Sequence, residues 1–147
     1  MSLSIYIYGM EPTAYILKQP AERRKLLKAI HDIILRSDKT VKSVIAPMMG
    51  KEMIQYIAAG SFKYGLSSVK NYMSLHVMPI YGSQVLHEKY QKLLPLASFQ
   101  KGCINFEDEE QMPPAIVKLL IEECSNIDLA AMKKQWEASR KEKAKNK

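Results

Sequence analysis

The residues best placed to do chemistry lie on one face of an alternating segment in the middle of the chain. Residues 71–78 alternate with a period of two, which is typical of a β-strand. One face carries Tyr72, Ser74, His76 and Met78, whereas the other carries the apolar side chains Met73, Leu75 and Val77. We expect helices to cover the apolar face, so the mixed face with His76 is available to a ligand.

A candidate anion site surrounds this segment. It combines lysines near predicted strand ends or turns with serine hydroxyls, a tyrosine and a histidine. Its members are Lys63, Ser67, Ser68, Lys70, Tyr72, His76 and Lys101, with Lys51 as a further lysine nearby. Turns with free backbone N–H groups, hydroxyls and a lysine can hold an anion or a phosphate. The alternative is that these lysines are ordinary solvated side chains at strand ends.

Two other groups of side chains suggest metal ions. Thioethers and an imidazole are ligands for copper(I) or haem, and they are found in Met48, Met49, Met53, Met73, Met78 and His76. Carboxylates suit iron and hard cations, and they are found in Glu107, Asp108, Glu109 and Glu110, with Glu88 as a further candidate. The alternatives are that methionine fills the core and that the acidic run is a solvated segment before a helix.

No pattern in the sequence assigns catalytic residues or a cofactor. The candidate nucleophiles are Ser67, Ser68 and Cys103, and His76 is the one candidate base. The G-x-S-x-G motif of a nucleophile elbow is absent. We therefore expect a binding protein rather than an enzyme.

The basic charge is concentrated at the end of the chain. Residues 133–147 contain seven basic and two acidic residues, so they account for +5 of the formal net charge of +7. A solvated basic tail explains this charge better than a nucleic-acid surface does. Tyr56, Tyr64 and Tyr72 offer a stacking platform for nucleic acid, although tyrosine is also common in strands for packing reasons. We expect weak nucleic-acid binding at most, through the tail.

Composition indicates one globular domain. The chain has 147 residues, of which 47% are hydrophobic. No apolar run approaches the roughly 20 residues that span a bilayer, and the first residues lack the basic start of a signal peptide, so we expect a cytoplasmic protein without membrane contact. Cys103 and Cys124 form no C-x-x-C pair, and we expect two free thiols, buried or half-buried.

The order of predicted elements favours an α+β fold. Helices are predicted at 12–18, 20–37, 84–94, 114–124 and from about 128, and strands at 41–45, 53–58, 61–66, 71–78 and 101–106. Pro47 is expected to stop the first strand, and the second is expected to be central and buried on both faces. The prediction is a mostly antiparallel sheet of about five strands with helices mainly on one side, in two layers.

Three segments resemble the YdhG-like family of small domains of unknown function. They are PAERRKLLKAIHDII after Tyr15 and Ile16, FKYGLSSVKNYMSLHVMPIY, and FQKGCINF followed by the acidic run and MPPAIVKLLIEECSNID. The resemblance implies an α+β domain over residues 12–130, with 131–147 as a basic helical tail. Some relatives are described as frataxin-like iron chaperones, so it also implies a role with iron.

Together these observations predict a binding domain that holds a small anionic ligand or a metal ion, iron included, in a groove at the sheet edge. The alternative is an interaction or adaptor domain that uses the helix of Trp136 and the basic tail. The sequence leaves a homo-oligomer open.

Overall fold

The computed structural model describes residues 11–145, and within them it confirms the α+β prediction. A six-stranded antiparallel open sheet carries helices on one face. The elements are α1 (Pro12–Leu17), α2 (Ala21–Ser37), β1 (Val41–Met48), β2 (Lys51–Ala58), β3 (Ser61–Ser68), β4 (Met73–Val77), α3 (Met78–Tyr81), α4 (Gln84–Leu93), β5 (Ser98–Gln100), β6 (Cys103–Phe106), α5 (Pro114–Ser125) and α6 (Leu129–Lys145). In this part of the chain no helix is long and apolar enough to cross a membrane.

Two tight turns build the first three strands. Met49 and Gly50 join β1 to β2 with φ angles of 52° and 81°, and Ala59 and Gly60 join β2 to β3 with 49° and 78°. Two successive positive φ angles are the signature of the type I′ turn, whose twist matches that of a hairpin. The strands predicted at 41–45, 53–58 and 61–66 are thus joined by two hairpin turns.

The strands follow the spatial order β1-β2-β3-β4-β6-β5, and one aliphatic row runs across the middle of the sheet. Ile54, Leu66, Leu75 and Ile104 lie directly opposite one another on β2, β3, β4 and β6, and all four are fully buried. They belong to one core with α2 and α5. Each such side chain contributes about 1.5–3 kcal/mol by burial, so this row fixes which sheet face the helices cover.

The structure corrects three details of the strands. β1 continues through Pro47 to Met48, because β1 is an edge strand with a ladder on one side only, where proline is tolerated. β2 is not buried on both faces, since Gln55 and Ile57 are half-buried on the face without helices. The short strand β5 was not predicted, and it pairs with β6 through the turn at Lys101.

Candidate functional site on the open face of the sheet

The sheet face without helices contains a groove of about 370 Å³. We call it the open-face groove. Its floor consists of side chains from four strands, namely Met53, Ser67, Ser74, His76, Cys103 and Asn105. Its rim includes Met48, Met49 and Lys51 from the β1–β2 hairpin, Tyr72 from the β3–β4 loop, and Gln100 from β5.

Strand register brings the floor residues together. His76 of β4 lies opposite Gly65 of β3 on one side and opposite Cys103 of β6 on the other. One row further along, Ser74 lies between Ser67 and Asn105 in the same way. The groove is therefore on the sheet face, towards one end of the strands, and not at the sheet edge where the sequence placed it.

A thiol and an imidazole touch on the floor of the groove. Cys103 Sγ lies 3.0 Å from His76 Nδ1, and both side chains are half-buried. The Phe62 ring meets the His76 ring edge-on, with centroids 6.3 Å apart. Burial lowers the pKa of His76 and raises the pKa of Cys103, which favours a neutral imidazole beside a neutral thiol.

Helix α2 fixes the β3–β4 loop that forms one side of the groove. The Arg23 guanidinium donates to Ser68 Oγ at 2.8 Å, and to the carbonyl oxygens of Val69, Lys70 and Tyr72. Arg23 is spaced in phase with the buried positions 27, 30 and 34, which is the sequence signal that identifies it as inward-facing.

A tyrosine of α1 supports the same side of the groove. Tyr15 Oη donates to the carbonyl oxygen of Glu52 at 3.4 Å and accepts from the backbone N–H of Ser68 at 3.1 Å. One buried side chain thus connects the start of β2 to the end of β3. The helical layer therefore positions both chain segments that border the groove at this end.

The predicted anion-site residues divide into those that line the groove and those that do not. Ser67, Tyr72 and His76 line it. Ser68 is engaged by Arg23, whereas Lys70 in the β3–β4 loop and Lys101 in the β5–β6 turn are exposed. The lysines therefore do not converge, and Lys51 is the lysine that lines the groove among the described residues.

Lys63 lies on the opposite side of the sheet. Tyr56 pairs with Tyr64 and Ile57 with Phe62, so a β-bulge makes Lys63 the extra residue of β3. Lys63 Nζ lies 2.8 Å from Asp38 Oδ2 and donates to the Ile127 carbonyl oxygen at 3.3 Å. A second cavity of about 400 Å³ adjoins it, but this buried cation already has its partners there.

The acidic run forms a locally bonded turn rather than a converging site. Glu107, Asp108, Glu109 and Glu110 are all exposed. Gln111 accepts from the backbone N–H of Glu107 and donates its own N–H to Asp108 Oδ1. Among residues 11–145 no group of three or more His, Cys, Asp or Glu side chains could hold a metal ion.

Some of the tyrosines and methionines named as site candidates are buried in the core, and others line the groove. Tyr56 and Tyr64 are fully buried, so they offer no stacking platform. Met73 is also buried in the core, whereas Met48, Met49 and Met53 line the groove. Cys103 is half-buried and Cys124 buried, and both are free thiols, as predicted.

Sequence reasoning did not assign several groove residues to the site. Ser74 was placed on the face of His76 but not in the anion site, and Asn105 was not assigned; both face the groove, which alternation along β6 could have indicated for Asn105. That Cys103 touches His76 depends on the pairing of β4 with β6, which no local pattern contains.

No protein-family model, curated protein or solved structure matches this chain significantly. The resemblance to YdhG-like domains therefore stays a prediction. The geometry of the groove is therefore the basis for assigning a function to this protein.

Proposed function

We propose that this protein is a binding domain that holds a small ligand, a metal ion or a small anion, in the open-face groove. The observation that carries the proposal is the contact between Cys103 and His76 on the floor of a 370 Å³ groove that no helix within residues 11–145 covers. Ligand sites are typically concave, about 300–1,000 Å³ in volume, with a few convergent polar groups. The YdhG-like relationship and the cytoplasmic location are part of this proposal.

The charges around the groove favour a metal ion over an anion. Lys51 and Glu52 both line the groove, so their formal charges cancel. Lys63 is neutralised by Asp38 beneath the sheet, and Lys101 is solvated in a turn. The groove offers sulfur, nitrogen and oxygen atoms, with one carboxylate, instead of a set of cations.

A thermal-shift screen with metals, nucleotides and organic anions tests the proposal. Asn105→Trp should fill the groove and abolish the shift that any bound compound causes. Val44→Trp is the matched control, because Val44 is exposed, shares the open face with Gln55 and does not line the groove. The proposal fails if no compound raises Tm, or if the shift survives in Asn105→Trp.

A second candidate function, an interaction domain, is favoured by one feature of α6. The helix is held to the domain by Leu129, by Met132 beside Gly82 and by Trp136 against Tyr81. Residues 137–145 are exposed on every side. A solvated basic helix of this kind can engage an acidic partner, and its removal should abolish that interaction while the domain still folds.

A further inference from the structure

Three kinds of soft side chain meet at the open-face groove. The Cys103 thiol touches the His76 imidazole, and Met53 lies on the same floor. Met48 and Met49 border this floor, and Met49 is 98% exposed at the hairpin turn, where packing does not require a large apolar side chain. Thiolate, thioether and imidazole groups are thus concentrated on one surface of the domain.

Met53 reaches across β3 towards His76. A Cβ atom at Gly65 would lie only 3.0 Å from Met53 Cε, so the thioether end of Met53 lies over this glycine. Gly65 is directly opposite His76 in the β3–β4 ladder. Opposite residues have Cα atoms about 4.5–5.5 Å apart, so the end of the Met53 side chain lies one strand from the imidazole, and the imidazole touches the thiol. The Phe62 ring lies over the same glycine, 2.7 Å from the position of its Cβ atom, so the Met53 thioether borders the Cys103–His76 pair beside this ring.

We infer that the open-face groove binds a soft monovalent metal ion, copper(I), through Cys103 Sγ, His76 Nδ1 and Met53 Sδ. This inference rests on the proposed ligand-binding function and names its ligand. Thiolate and thioether sulfur atoms select copper(I) over harder cations. As the copper–sulfur bond forms, the thiol proton is released to solvent, and no oxidation or reduction occurs.

The distance between Cys103 Sγ and His76 Nδ1 needs little adjustment for both atoms to bind one metal ion. Metal–sulfur and metal–nitrogen bonds of about 2.3 and 2.0 Å at a tetrahedral angle place the two ligand atoms about 3.5 Å apart. The observed distance between Cys103 Sγ and His76 Nδ1 is 3.0 Å. Rotation of either half-buried side chain by a small angle supplies the remaining ~0.5 Å.

The donor set disfavours zinc and hard cations. Structural zinc takes four nitrogen or sulfur ligands. The described residues provide no group of three His, Cys, Asp or Glu side chains, so the soft third ligand that the groove floor offers is the Met53 thioether. Copper(I) accepts such a ligand, whereas iron and magnesium favour oxygen.

Anaerobic titration of the full chain with copper(I), against a chromophoric copper(I) chelator, tests the inference. We expect one copper per chain, near-ultraviolet thiolate-to-copper absorption, and sulfur and nitrogen neighbours in X-ray absorption spectra. Even outer-shell partners are worth about 10- to 100-fold in metal affinity, so Cys103→Ser should weaken binding by ~100-fold or more. Met53→Leu should weaken it by about 10-fold, because a thioether is a weaker ligand than a thiolate.

Matched substitutions outside the groove should leave copper(I) affinity unchanged. Cys124→Ala removes the other thiol, and Met78→Leu removes a thioether that does not line the groove. The copper site is overturned if the native chain binds no copper(I), if Cys103→Ser binds it equally well, or if copper has only oxygen and nitrogen neighbours. If copper(I) fails while an organic anion gives a shift that Asn105→Trp abolishes, the proposed function stands and this inference alone fails.

Discussion

Lys63 is a charged side chain that strand alternation would direct to the open face, yet the structure buries it beneath the sheet. The bulge at Tyr56 and Ile57 turns it towards the helices, where it is 1% exposed. There it meets Asp38, whose other partners are Thr40 and Tyr64. This cluster is a structural ion pair. We therefore expect it to affect the stability of the fold and not the binding of a ligand.

Asp38→Asn should lower the free energy of unfolding by about 3–5 kcal/mol, because it leaves the buried Lys63 ammonium without a counter-charge. Denaturant unfolding measures this change. The double variant Asp38→Asn with Lys63→Met should recover most of the loss, since replacing both charges of a buried pair is often neutral. If Asp38→Asn lowers the free energy of unfolding only slightly, the Lys63 ammonium must reach solvent once residue 38 carries no charge.

The same cluster contributes to the loss of folding free energy at acidic pH. Burial raises the pKa of Asp38, but hydrogen bonds from Lys63, Thr40 and Tyr64 outweigh it and hold the pKa below its ordinary value. Its contribution is therefore complete above the unfolded pKa of about 3.9 and is lost as pH falls through the folded pKa. This loss should be missing in Asp38→Asn. Burial also lowers the pKa of His31, so protonation of this residue lowers the stability as pH falls below the unfolded pKa of about 6.5, before Asp38 begins to titrate.

At the scale of elements, the loop beside the groove depends on a helix from the other layer. Within the β3–β4 connection, one backbone hydrogen bond forms, from the Val69 N–H to the Tyr72 carbonyl oxygen. Arg23 of α2 donates to the carbonyl oxygens of Val69 and Lys70, and also to that of Tyr72. The side of the groove that carries Tyr72 is thus held from the helical side of the sheet.

Arg23→Met keeps the aliphatic stem and removes the guanidinium. It should lower the free energy of unfolding by about 1.5–3 kcal/mol, as expected for lost bonds to a charged donor. Hydrogen exchange of the amides at 68–72 should become faster, because the loop loses its donors. Arg24→Met is the matched control. Arg24 is exposed, and its guanidinium donates to the Gln19 carbonyl oxygen and not to the β3–β4 loop. Equal exchange rates in the two variants would contradict the role of Arg23.

At the scale of the whole molecule, the basic charge and the groove are separate features. The last nine described residues, 137–145, are solvated, whereas the core ends with Leu129 and the Trp136–Tyr81 contact. Arg140 lies over the Trp136 ring at 4.9 Å. Ligand binding and electrostatic binding to a partner should therefore be separable by truncation.

Truncation after Trp136 should change the free energy of unfolding by less than about 0.5 kcal/mol, because it removes only exposed positions of the described chain. Retention on heparin should be lost, since the truncation removes five basic and two acidic residues, or +3 of the net charge of +7, concentrated at the end of the chain. The control is the full chain with Lys70, Lys92 and Lys101 changed to Gln, which should still be retained. Retention of the truncated chain would place the basic surface on the domain, and loss of folding would show that the last turns belong to the core.

The short elements α3 and β5 were not predicted, but the sequence alone predicted the other helices and strands and the apolar face of β4. These features depend on local periods and on turn residues such as Gly50 and Gly60, which act within a few positions. Only the tertiary structure decided that Cys103 meets His76, that Arg23 holds the β3–β4 loop and that Lys63 turns inward. Each of these depends on strand register, a bulge or packing between layers. Such relations join residues far apart in the chain, and no local pattern encodes them.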